Sequence, residues 1–543
     1  MADQRKQCVT HTHEEHAQAD VDDPEKAVQL PNVGHAITGA ELEGVNGEVL
    51  LTAVAGTNTS HLKLAPDGKT ILIPQPSDDP NDPLLWSSWK KHAILVFVGF
   101  GAFAGDFGLT AALPGLLPQA VEWGKTPTVV NYANNLGVVM IALSSLIWQP
   151  MTNIWGRIPV LFWTTFFGAA FTVGVALAPS YHVFYGMRAL QCVNQGVGSA
   201  IGLAFVKDMF YYHEHARKIG IWYALFLCSP YFGPLFANFM LGKLGDWRPA
   251  MWLVFAWASS LALLILLFGD ESWYNRSVPL SQQPPRPQTM PARLSRVLGV
   301  WEVKHHRGYY ATWLLSFSRL VVVLFKPIIP LTTAVYTLTF MWAIGLNQSS
   351  AILLSTPQSL GGYGLSTIAT GYIYFTPVVA VIMGEILGHY ANDYVVTWYT
   401  RRHEGLFRPE ARLWTCYLGG LFLVPALILI GQTLQHHLHY VGIIFGWGLH
   451  MIGIMVTSVS VVAYCLDCYP TASGEVSAIL NAGRAFGGFA VPYFQQQWGA
   501  KDGFDVSFGI QAAITAFAFV LLAMIQVYGP RLRAWSGPLK EIP

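Results

Sequence analysis

Long apolar segments are the feature that most limits how this chain can fold. Twelve of them have the roughly 20 residues that a helix needs to cross the hydrocarbon core of a bilayer. Only 12% of the 543 residues are charged, against about a quarter in soluble globular domains. The sequence therefore predicts an all-α membrane protein with twelve transmembrane helices, near residues 92–113, 130–150, 159–178, 182–206, 217–241, 249–268, 327–349, 367–390, 412–432, 440–465, 474–497 and 504–529.

The apolar segments fall into two groups of six. A polar stretch containing SVPLSQQPPRPQTMPARLSR separates the groups and is typical of a flexible basic linker. The amino-terminal residues are polar and rich in Asp, His, Gly and Pro, which predicts a disordered tail. The expected domains are a cytosolic tail at 1–85, a six-helix bundle at 86–268, a cytosolic linker at 269–326, a second six-helix bundle at 327–530 and a cytosolic tail at 531–543.

The two groups repeat one arrangement. Asp208 closes the fourth apolar segment, and Pro234 lies deep in the fifth. Asp467 and Pro492 hold the corresponding positions in the tenth and eleventh segments, at nearly the same separation. Internal repeats of this kind are typical of transporters. The sequence thus predicts two pseudo-symmetric six-helix bundles.

The distribution of lysine and arginine among the short loops predicts the orientation. Most of these residues fall on one side if the amino terminus is cytosolic, as the positive-inside rule requires. We therefore expect both termini in the cytosol. The polar amino terminus has no cleavable signal peptide, so we expect the first apolar segment to be an uncleaved anchor. The plasma membrane is the expected location, with a vacuolar membrane as the alternative.

We expect no cofactor and no metal site. The six cysteines are scattered, and the lone pair Cys465 and Cys468 lacks the second pair or nearby histidine of a zinc site. His11, His13 and His16 lie in the polar tail and are interpreted as solvated. No basic tract interleaved with aromatic residues indicates nucleic-acid binding.

Charged residues inside apolar segments are the first candidate functional residues, because a charge at the centre of a span costs roughly 3 kcal/mol on insertion scales. Asp106 lies inside the first segment among Gly101, Gly105 and Gly108. Two interpretations stay open: a proton or cation site, or a structural carboxylate paired to a neighbouring helix.

Two later segments carry polar stripes, each with one arginine. Spacings of three and four residues place the members of a stripe on one helical face. Such a face lines a polar cavity, or it packs closely through small residues beside a snorkelling arginine. The stripes are Arg188, Gln191, Gln195, Gly198 and Gly202 in the fourth segment, and Ser477, Asn481, Arg484, Gly488, Pro492 and Gln495 in the eleventh.

Two further sets of residues have open interpretations. Glu385, toward the cytosolic end of the eighth segment, is a proton-site candidate or a side chain that snorkels to the interface, the second being slightly favoured. Five aromatic residues line an apolar binding surface or simply pack against lipid and protein. They are Trp222, Tyr223, Trp252, Trp342 and Tyr374.

The loop after the second segment reads QPMTNIWGRIP, from Gln149 to Pro159. It resembles the signature loop of the major facilitator superfamily, in which a glycine, three residues, an aspartate and a basic residue precede Gly-Arg-basic. Gly156 and Arg157 match this pattern, and Asn153 stands where the family has its aspartate. In the second half, GHYAND is expected to occupy the equivalent loop, with Asp393 as its acid.

Other segments extend the resemblance to about residues 70–530. Arg188 and Gln191 resemble the Arg-x-x-Gln-Gly motif of the fourth span, and Gly233-Pro234 resembles the core of the fifth-span motif of antiporters. DPNDPLLWSSWKK at 79–91 and RRHEGLFRPEARLW at 401–414 look like segments of fungal members of the drug:proton antiporter branch.

The resemblance implies the major facilitator fold, with a substrate cavity between the two bundles at mid-membrane and alternating access as the mechanism. It further implies gating and structural roles for a set of residues at the cytosolic ends and kinks of the helices. These residues are Asn153, Gly156, Arg157, Asp208, Arg217, Gly233, Pro234, Asp393, Asp467 and Pro492.

The predicted function is secondary active transport, with proton-coupled efflux of a drug, toxin or secondary metabolite as the leading hypothesis. Asp106 is the leading proton site, and Arg188 and Arg484 either bind polar groups of the substrate or hold Asp106. The alternative is a proton-symport importer of a nutrient. An enzyme is not expected, because no nucleophile or ligand cluster lies at membrane depth, and a transporter-like sensor would carry a large folded domain. Expected partners are the substrate, protons and the bilayer, with no nucleic acid, and the protein is expected to be a monomer.

Overall fold

The structure, a computed structural model, is almost entirely α-helical. Two strands of two residues each, β1 (Val49–Leu50) and β2 (Leu406–Phe407), pair in an antiparallel manner. His11, His13 and His16, which were interpreted as solvated, lie outside the described part of the chain, as does Cys8. The structure describes residues 49–50, 63–64, 72–276, 278–307, 309–356, 362–403, 406–537 and 539.

Eight helices make up the amino-terminal bundle and provide its six spans. The first span consists of α1 and α2, and the fourth of α5 and α6. The helices are α1 (Ser88–Thr110), α2 (Leu116–Glu122), α3 (Pro127–Trp155), α4 (Arg157–Ala176), α5 (Tyr181–Gln195), α6 (Val197–Met209), α7 (Tyr212–Leu244) and α8 (Arg248–Phe268).

Seven helices make up the carboxy-terminal bundle, and its second span consists of two of them. Three shorter helices lie between the bundles: α9 (Met290–Val297), α10 (Val300–Lys304) and α11 (Trp313–Leu324). The helices of the second bundle are α12 (Ile328–Ser355), α13 (Thr367–Ile373), α14 (Phe375–Arg402), α15 (Leu413–Gln435), α16 (Val441–Cys468), α17 (Ser473–Asp502) and α18 (Phe504–Ser536).

Local capping explains where several spans begin and end. The hydroxyl of Ser87 accepts a hydrogen bond from Lys90 N, and that of Thr126 accepts one from Val129 N before Pro127 opens α3. At the other end of a span, Gly245 takes the left-handed conformation with φ +71° and terminates α7.

Eleven helical stretches in the described part of the chain are long and apolar enough to cross a membrane. They include eleven of the twelve predicted spans. The remaining one, α17, has 30 residues but is too polar to meet that measure, because it carries the stripe of Asn481 and Arg484. It packs among α3, α6, α12 and α18, so protein contacts replace the lipid contacts of a more apolar helix.

Both bundles begin and end on one side of the molecule, which we call the linker side. Lys90 near the start of α1 bonds Asp270 at the start of the linker, with 2.6 Å between Nζ and Oδ2. Lys326 at the end of the linker donates to the carbonyl of Gly537 at 3.0 Å, just after α18.

The linker and the end of the amino-terminal tail differ from the flexible segments that were predicted. Asp270 also binds Arg296 of α9 at 2.8 Å, and both side chains are buried. In the tail, Asp82 binds Arg276 at 2.8 Å, and Asp79 accepts a hydrogen bond from Tyr274. Composition alone predicted disorder, whereas these charges find buried partners in distant parts of the chain.

Candidate substrate and proton site

A buried ion pair joins the two bundles at the centre of the molecule. Arg484 Nη2 of α17 lies 3.3 Å from Asp106 Oδ2 of α1. The two residues are only 3% and 8% exposed. A buried charge requires an opposite charge nearby, and each of these residues provides that charge for the other.

The guanidinium of Arg484 is held in place from several directions. Asn481 Oδ1 accepts hydrogen bonds from its Nε at 3.1 Å and its Nη2 at 2.8 Å. The rings of Phe226 in α7 and Phe340 in α12 lie 4.7 and 5.0 Å from the guanidinium carbon. Aromatic faces attract cations at such distances, so one ring from each bundle stabilises the charge.

Asn481 extends the contact between the bundles. Its amide donates to Ser145 Oγ of α3 at 2.5 Å and to Ser199 Oγ of α6 at 2.9 Å. The polar stripe of the eleventh span therefore faces the other bundle. Sequence reasoning singled out Asn481 but neither serine, because serine is common in transmembrane helices and carries no distinctive signal.

Two tyrosines make another contact that sequence reasoning did not connect. The hydroxyls of Tyr223 in α7 and Tyr336 in α12 form a short hydrogen bond. Tyr223 and Trp222 line a small cavity together with Ser477 and Asn481. Of the other predicted aromatic residues, Trp342 and Tyr374 are buried, and Trp252 is 40% exposed on the outer surface.

The cavity beside the ion pair is small in this conformation. Its volume is about 30 Å³, which holds one or two water molecules and no organic molecule. The bundles are therefore closed on each other at this depth. The lining consists of Asp106, Leu109, Thr110, Val138, Ile141, Leu227, Pro230, Tyr231, Phe340, Ala343, Ile344, Asn347, Gln348, Arg484 and Ala485.

A proline in α7 creates one further link between the bundles. Pro234 has no N–H, so the carbonyl of Pro230 lacks its helical hydrogen bond. Asn347 Nδ2 of α12 donates to that carbonyl at 3.1 Å. Next to it, Gly233 packs so closely on α1 that a Cβ would lie 2.5 Å from Thr110 Oγ1. Pro492 lies inside α17.

Arg188 and Arg484 both lie on polar stripes in the sequence, but their guanidinium groups have different partners. It is fully buried inside the amino-terminal bundle. Its Nη1 donates to the Gly108 carbonyl and to Gln191 Oε1, both at 2.9 Å, and its Nη2 donates to the Leu109 carbonyl and to Asn134. In the described contacts its guanidinium thus meets neutral acceptors.

The rest of the fourth-span stripe packs against the first and third spans. Gln195 donates to Thr172 Oγ1 at 3.1 Å, and a Cβ on Gly198 would lie 2.2 Å from the carbonyl carbon of Gly101. Of the two interpretations of this stripe, the closely packed face of small residues describes these contacts, and the face that lines a polar cavity does not. Small residues allow the helices to meet along their backbones, and that contact covers the stripe.

Each repeated aspartate binds an arginine on the linker side. Asp208 Oδ2 lies 2.9 Å from Arg157 Nη1, and Asp467 is paired with Arg412. Arg157 begins α4 and Arg412 immediately precedes α15, so the pairs occupy equivalent places in the two bundles. The prediction that GHYAND occupies the equivalent loop, with Asp393 as its acid, was wrong, because GHYAND lies inside α14.

The remaining predicted charges, Asp393, Arg217 and Glu385, lie outside these ion pairs. Asp393 is exposed and lies 3.5 Å from His389 of its own helix, and Arg217 is exposed near the start of α7. Glu385 is half-buried where α14 meets α7, so that a Cβ on Gly220 would lie 2.1 Å from its carboxylate. It does not line the central cavity.

A hydrogen bond between the bundles closes the linker side. Asn153 Nδ2 of α3 donates to Glu475 Oε1 of α17 at 3.0 Å, and Arg319 of α11 lies 3.4 Å from the same oxygen. Around this contact is a vestibule of about 390 Å³. Its lining includes Gln149, Asn153, Arg157, Lys207 and Asp208 from one bundle, Arg412, Asp467 and Glu475 from the other, and Ile73, Pro74 and Gln75 from the tail.

Gly156 marks the point where the linker contacts the signature loop. Its φ of +84° with ψ of +165° is a conformation that only glycine readily adopts. Glu271 Oε2 accepts from Ile158 N at 3.0 Å, so this carboxylate caps the start of α4. Burial and the nearby Glu271 carboxyl raise the pKa of Glu302 to about 9.

Comparison with known proteins agrees with the fold. Two six-helix bundles around a polar, closed centre define a multi-pass membrane transporter. Residues 95–492 match the Major Facilitator Superfamily, and the chain belongs to that family. It is accordingly a transporter and not an enzyme.

Its relatives include fungal proteins named as efflux pumps, which confirms the predicted resemblance to a fungal, efflux-like branch of the family. The efflux pump radE of Floropilus chiversii is 22% identical, covering 84% of this chain and 84% of its own length. The efflux pump FUBT of Fusarium oxysporum is 23% identical over 82% and 73% of the two chains.

Solved structures share the fold at low sequence identity. The human organic anion transporter MFSD10 (TETRAN) superposes with a TM-score of 0.54 at 18% identity, over 80% of this chain and all of that one. The proton:xylose symporter XylE superposes with a TM-score of 0.59 at 12% identity, over 81% and 96%.

Proposed function

We propose that this transporter exports a small organic molecule, a drug, toxin or secondary metabolite, in exchange for protons. Relatives that are named efflux pumps align with more than four-fifths of the chain, which supports the direction of transport. The observation that carries the proton coupling is the buried pair of Asp106 and Arg484, because each bundle contributes one of its charges.

Protonation of Asp106 would remove the negative partner of Arg484. Leaving one member of a buried ion pair without its partner costs about 3–5 kcal/mol, and every 1.4 kcal/mol is a factor of ten in an equilibrium constant. One proton is therefore sufficient to shift the balance between closed and separated bundles by a hundredfold or more. A hundredfold shift moves an equilibrium from about 1:10 to about 10:1.

Contacts on the linker side would control access to the centre. We propose that the linker side faces the cytosol, that both termini lie there and that the protein works in the plasma membrane as a monomer. The hydrogen bond between Asn153 and Glu475 would break when the vestibule opens to load substrate. The pairs Arg157–Asp208 and Arg412–Asp467 would keep each bundle rigid during this motion.

The same ion pair also supports the alternative, a proton-symport importer. An anionic substrate that bound Arg484 would displace Asp106, and the displaced carboxylate would then bind a proton. Substrate and proton would in that case cross together, so the alternative differs from the leading proposal in the sign of the coupling.

The test uses yeast cells stripped of their own efflux pumps and expressing the full chain. Intracellular and extracellular small molecules are compared with and without a protonophore. We expect depletion of specific compounds from the cells, reversed by the protonophore and absent with Asp106→Asn. Asp502→Asn, which changes an exposed aspartate at the end of α17, is the matched control and should behave as wild type. Accumulation instead of depletion would replace export by import.

A further inference from the structure

A second cavity lies on the outer surface of the amino-terminal bundle, away from the bundle interface. Its volume is about 320 Å³, and α3, α4 and the linker form its walls. We call it the lateral cleft. The residues that matter for its chemistry are Trp148 and Trp155 of α3, Trp163 and Phe167 of α4, and Leu298 and Val303 of the linker.

The walls of the lateral cleft are apolar, and the indole N–H groups of Trp148 and Trp163 are already bonded. Trp148 Nε1 donates to the Val193 carbonyl at 2.8 Å. Trp163 Nε1 donates to the Leu298 carbonyl at 3.1 Å. These bonds fix two indole rings in the wall of the cleft. Because no free donor or acceptor is needed to match them, the cleft suits a hydrocarbon group.

The lateral cleft is continuous with the surface that meets lipid. Trp163 is 39% exposed and Phe167 is 45% exposed, although both lie on a membrane-spanning helix. From Pro159 at the linker side to Phe167 the helix rises by about 12 Å, at 1.5 Å per residue. The cleft thus extends along the helix axis into the hydrocarbon layer, which is the direction of a lipid chain.

Basic side chains follow the apolar wall of the cleft in the linker. Val300 and Val303 are 47% and 68% exposed, and Lys304 and Arg307 beside them are exposed as well. The one acidic residue in this stretch, Glu302, is buried. An apolar face bordered by exposed lysine and arginine is typical of a segment in the membrane interface, where basic residues attract anionic lipids.

We propose that the lateral cleft binds one acyl chain of an anionic phospholipid, whose phosphate head group is bound by Lys304 and Arg307. The lipid would contact α3, α4 and the linker at once. It would therefore hold the linker against the bundle near the signature loop. This site is separate from the transport pathway, so the proposal stands independently of which substrate is moved.

The test uses the full-length protein in nanodiscs of phosphatidylcholine that contain a small fraction of phosphatidylserine with a photoreactive diazirine in its acyl chain. After irradiation, mass spectrometry of peptides locates the label. We expect labelling of 148–167 and 298–303 to exceed that around Trp252 of α8 at least fivefold. Trp252 is the internal reference because it is 40% exposed, close to the value for Trp163. Unlabelled phosphatidylserine should compete, and phosphatidylcholine should not.

Variants at exposed positions separate binding from folding. Val303→Trp narrows the opening of the cleft and should reduce the labelling at least fivefold, while elution volume and melting temperature stay those of the wild type. Lys304→Gln with Arg307→Gln should reduce labelling by the phosphatidylserine probe alone. Arg401→Gln with Arg402→Gln, a pair exposed elsewhere on the linker side, should change nothing. Uniform labelling of all lipid-facing helices, equal labelling by a phosphatidylcholine probe, or full labelling of Val303→Trp would each overturn the proposal.

Discussion

Arg484 of the carboxy-terminal bundle lies 3.3 Å from Asp106 of the amino-terminal bundle, and this buried contact links the two halves of the transporter at their centre. Each residue is buried, and a buried charge without a partner is costly. The proposed proton coupling rests on this pair, since neutralising Asp106 would leave Arg484 without its negative partner.

Replacing the carboxylate tests the coupling directly. Asp106→Asn is expected to lower transport at least tenfold and to remove its dependence on external pH, because asparagine cannot bind a proton. Arg484→Lys should retain more activity than Arg484→Gln, since a charge remains although its fork of donors is lost. Transport by purified protein in proteoliposomes across a pH gradient measures all three. Unchanged pH dependence in Asp106→Asn would assign the proton to another group.

Asn153 provides a test of the linker-side contact. Asn153→Asp restores the family aspartate, but here it places a second carboxylate beside Glu475, whose Oε1 is 3.0 Å from the Asn153 amide. Two like charges at this distance repel, so we expect the linker side to open. The readout is the rate at which a water-soluble maleimide labels Thr471→Cys in the vestibule. This rate should rise about tenfold, which corresponds to a change of ~1.4 kcal/mol in the free energy of opening.

The double variant Asn153→Asp with Glu475→Gln is the matched control for that experiment. It removes the repulsion while keeping a hydrogen-bonding pair, so labelling should return to the wild-type rate. The five described cysteines are buried, and the experiment uses a Cys8→Ser background because Cys8 lies outside the described residues. If the single and double variants label equally fast, repulsion is not the cause.

Gly156 and Gly245 form a matched pair of positions for alanine substitution. Both have positive φ, but a Cβ at Gly156 would lie 2.6 Å from Glu271 Oε2, whereas nothing lies within 4 Å at Gly245. Gly245→Ala should cost about 1–2 kcal/mol of stability, because a residue with a side chain is strained in the left-handed conformation. Gly156→Ala should cost clearly more, because the carboxylate that caps α4 must also move. Melting temperatures of the two purified variants measure the difference, and equal values would contradict it.

The linker should lose stability at high pH. Burial first and the Glu271 carboxyl second raise the pKa of Glu302 from its ordinary 4.5 to about 9, and Arg286 and Arg296 oppose that rise. The folded state thus binds a proton that the unfolded state has already released, so stability falls as pH rises from about 4.5 through 9. Glu302→Gln, which cannot ionise, should flatten the melting temperature between pH 6 and 9.5. A wild type that becomes more stable over this range would contradict the sign.

Much of the architecture follows from the sequence because the hydrocarbon core of a bilayer accepts only long, apolar helices. A helix must be long and apolar to cross a bilayer, and eleven of the twelve predicted spans have that composition. The exception, α17, was predicted from the length of its apolar segment, and its polar stripe keeps it below that measure of apolar composition. Asp106, Arg188 and Arg484 were likewise identified from the sequence, because an ionised group in hydrocarbon is costly.

The partners of those charges depend on the tertiary structure. Arg188 and Arg484 lie on matching polar stripes, yet one binds backbone carbonyls within its own bundle and the other crosses to Asp106. The difference lies in how closely α5, α6 and α17 approach their neighbours, and helix periodicity carries no information about that distance.

The sequence by itself determined the class of protein, the number of spans and the set of residues that lipid cannot accommodate. Only the tertiary structure decided that Arg412 is the partner of Asp467, that Glu475 meets Asn153, and that the linker is an ordered element. The physical reason is that hydrophobic burial depends on the apolar composition of each segment, which the sequence contains. An ion pair or hydrogen bond, in contrast, exists only at a particular distance between groups that are remote along the chain.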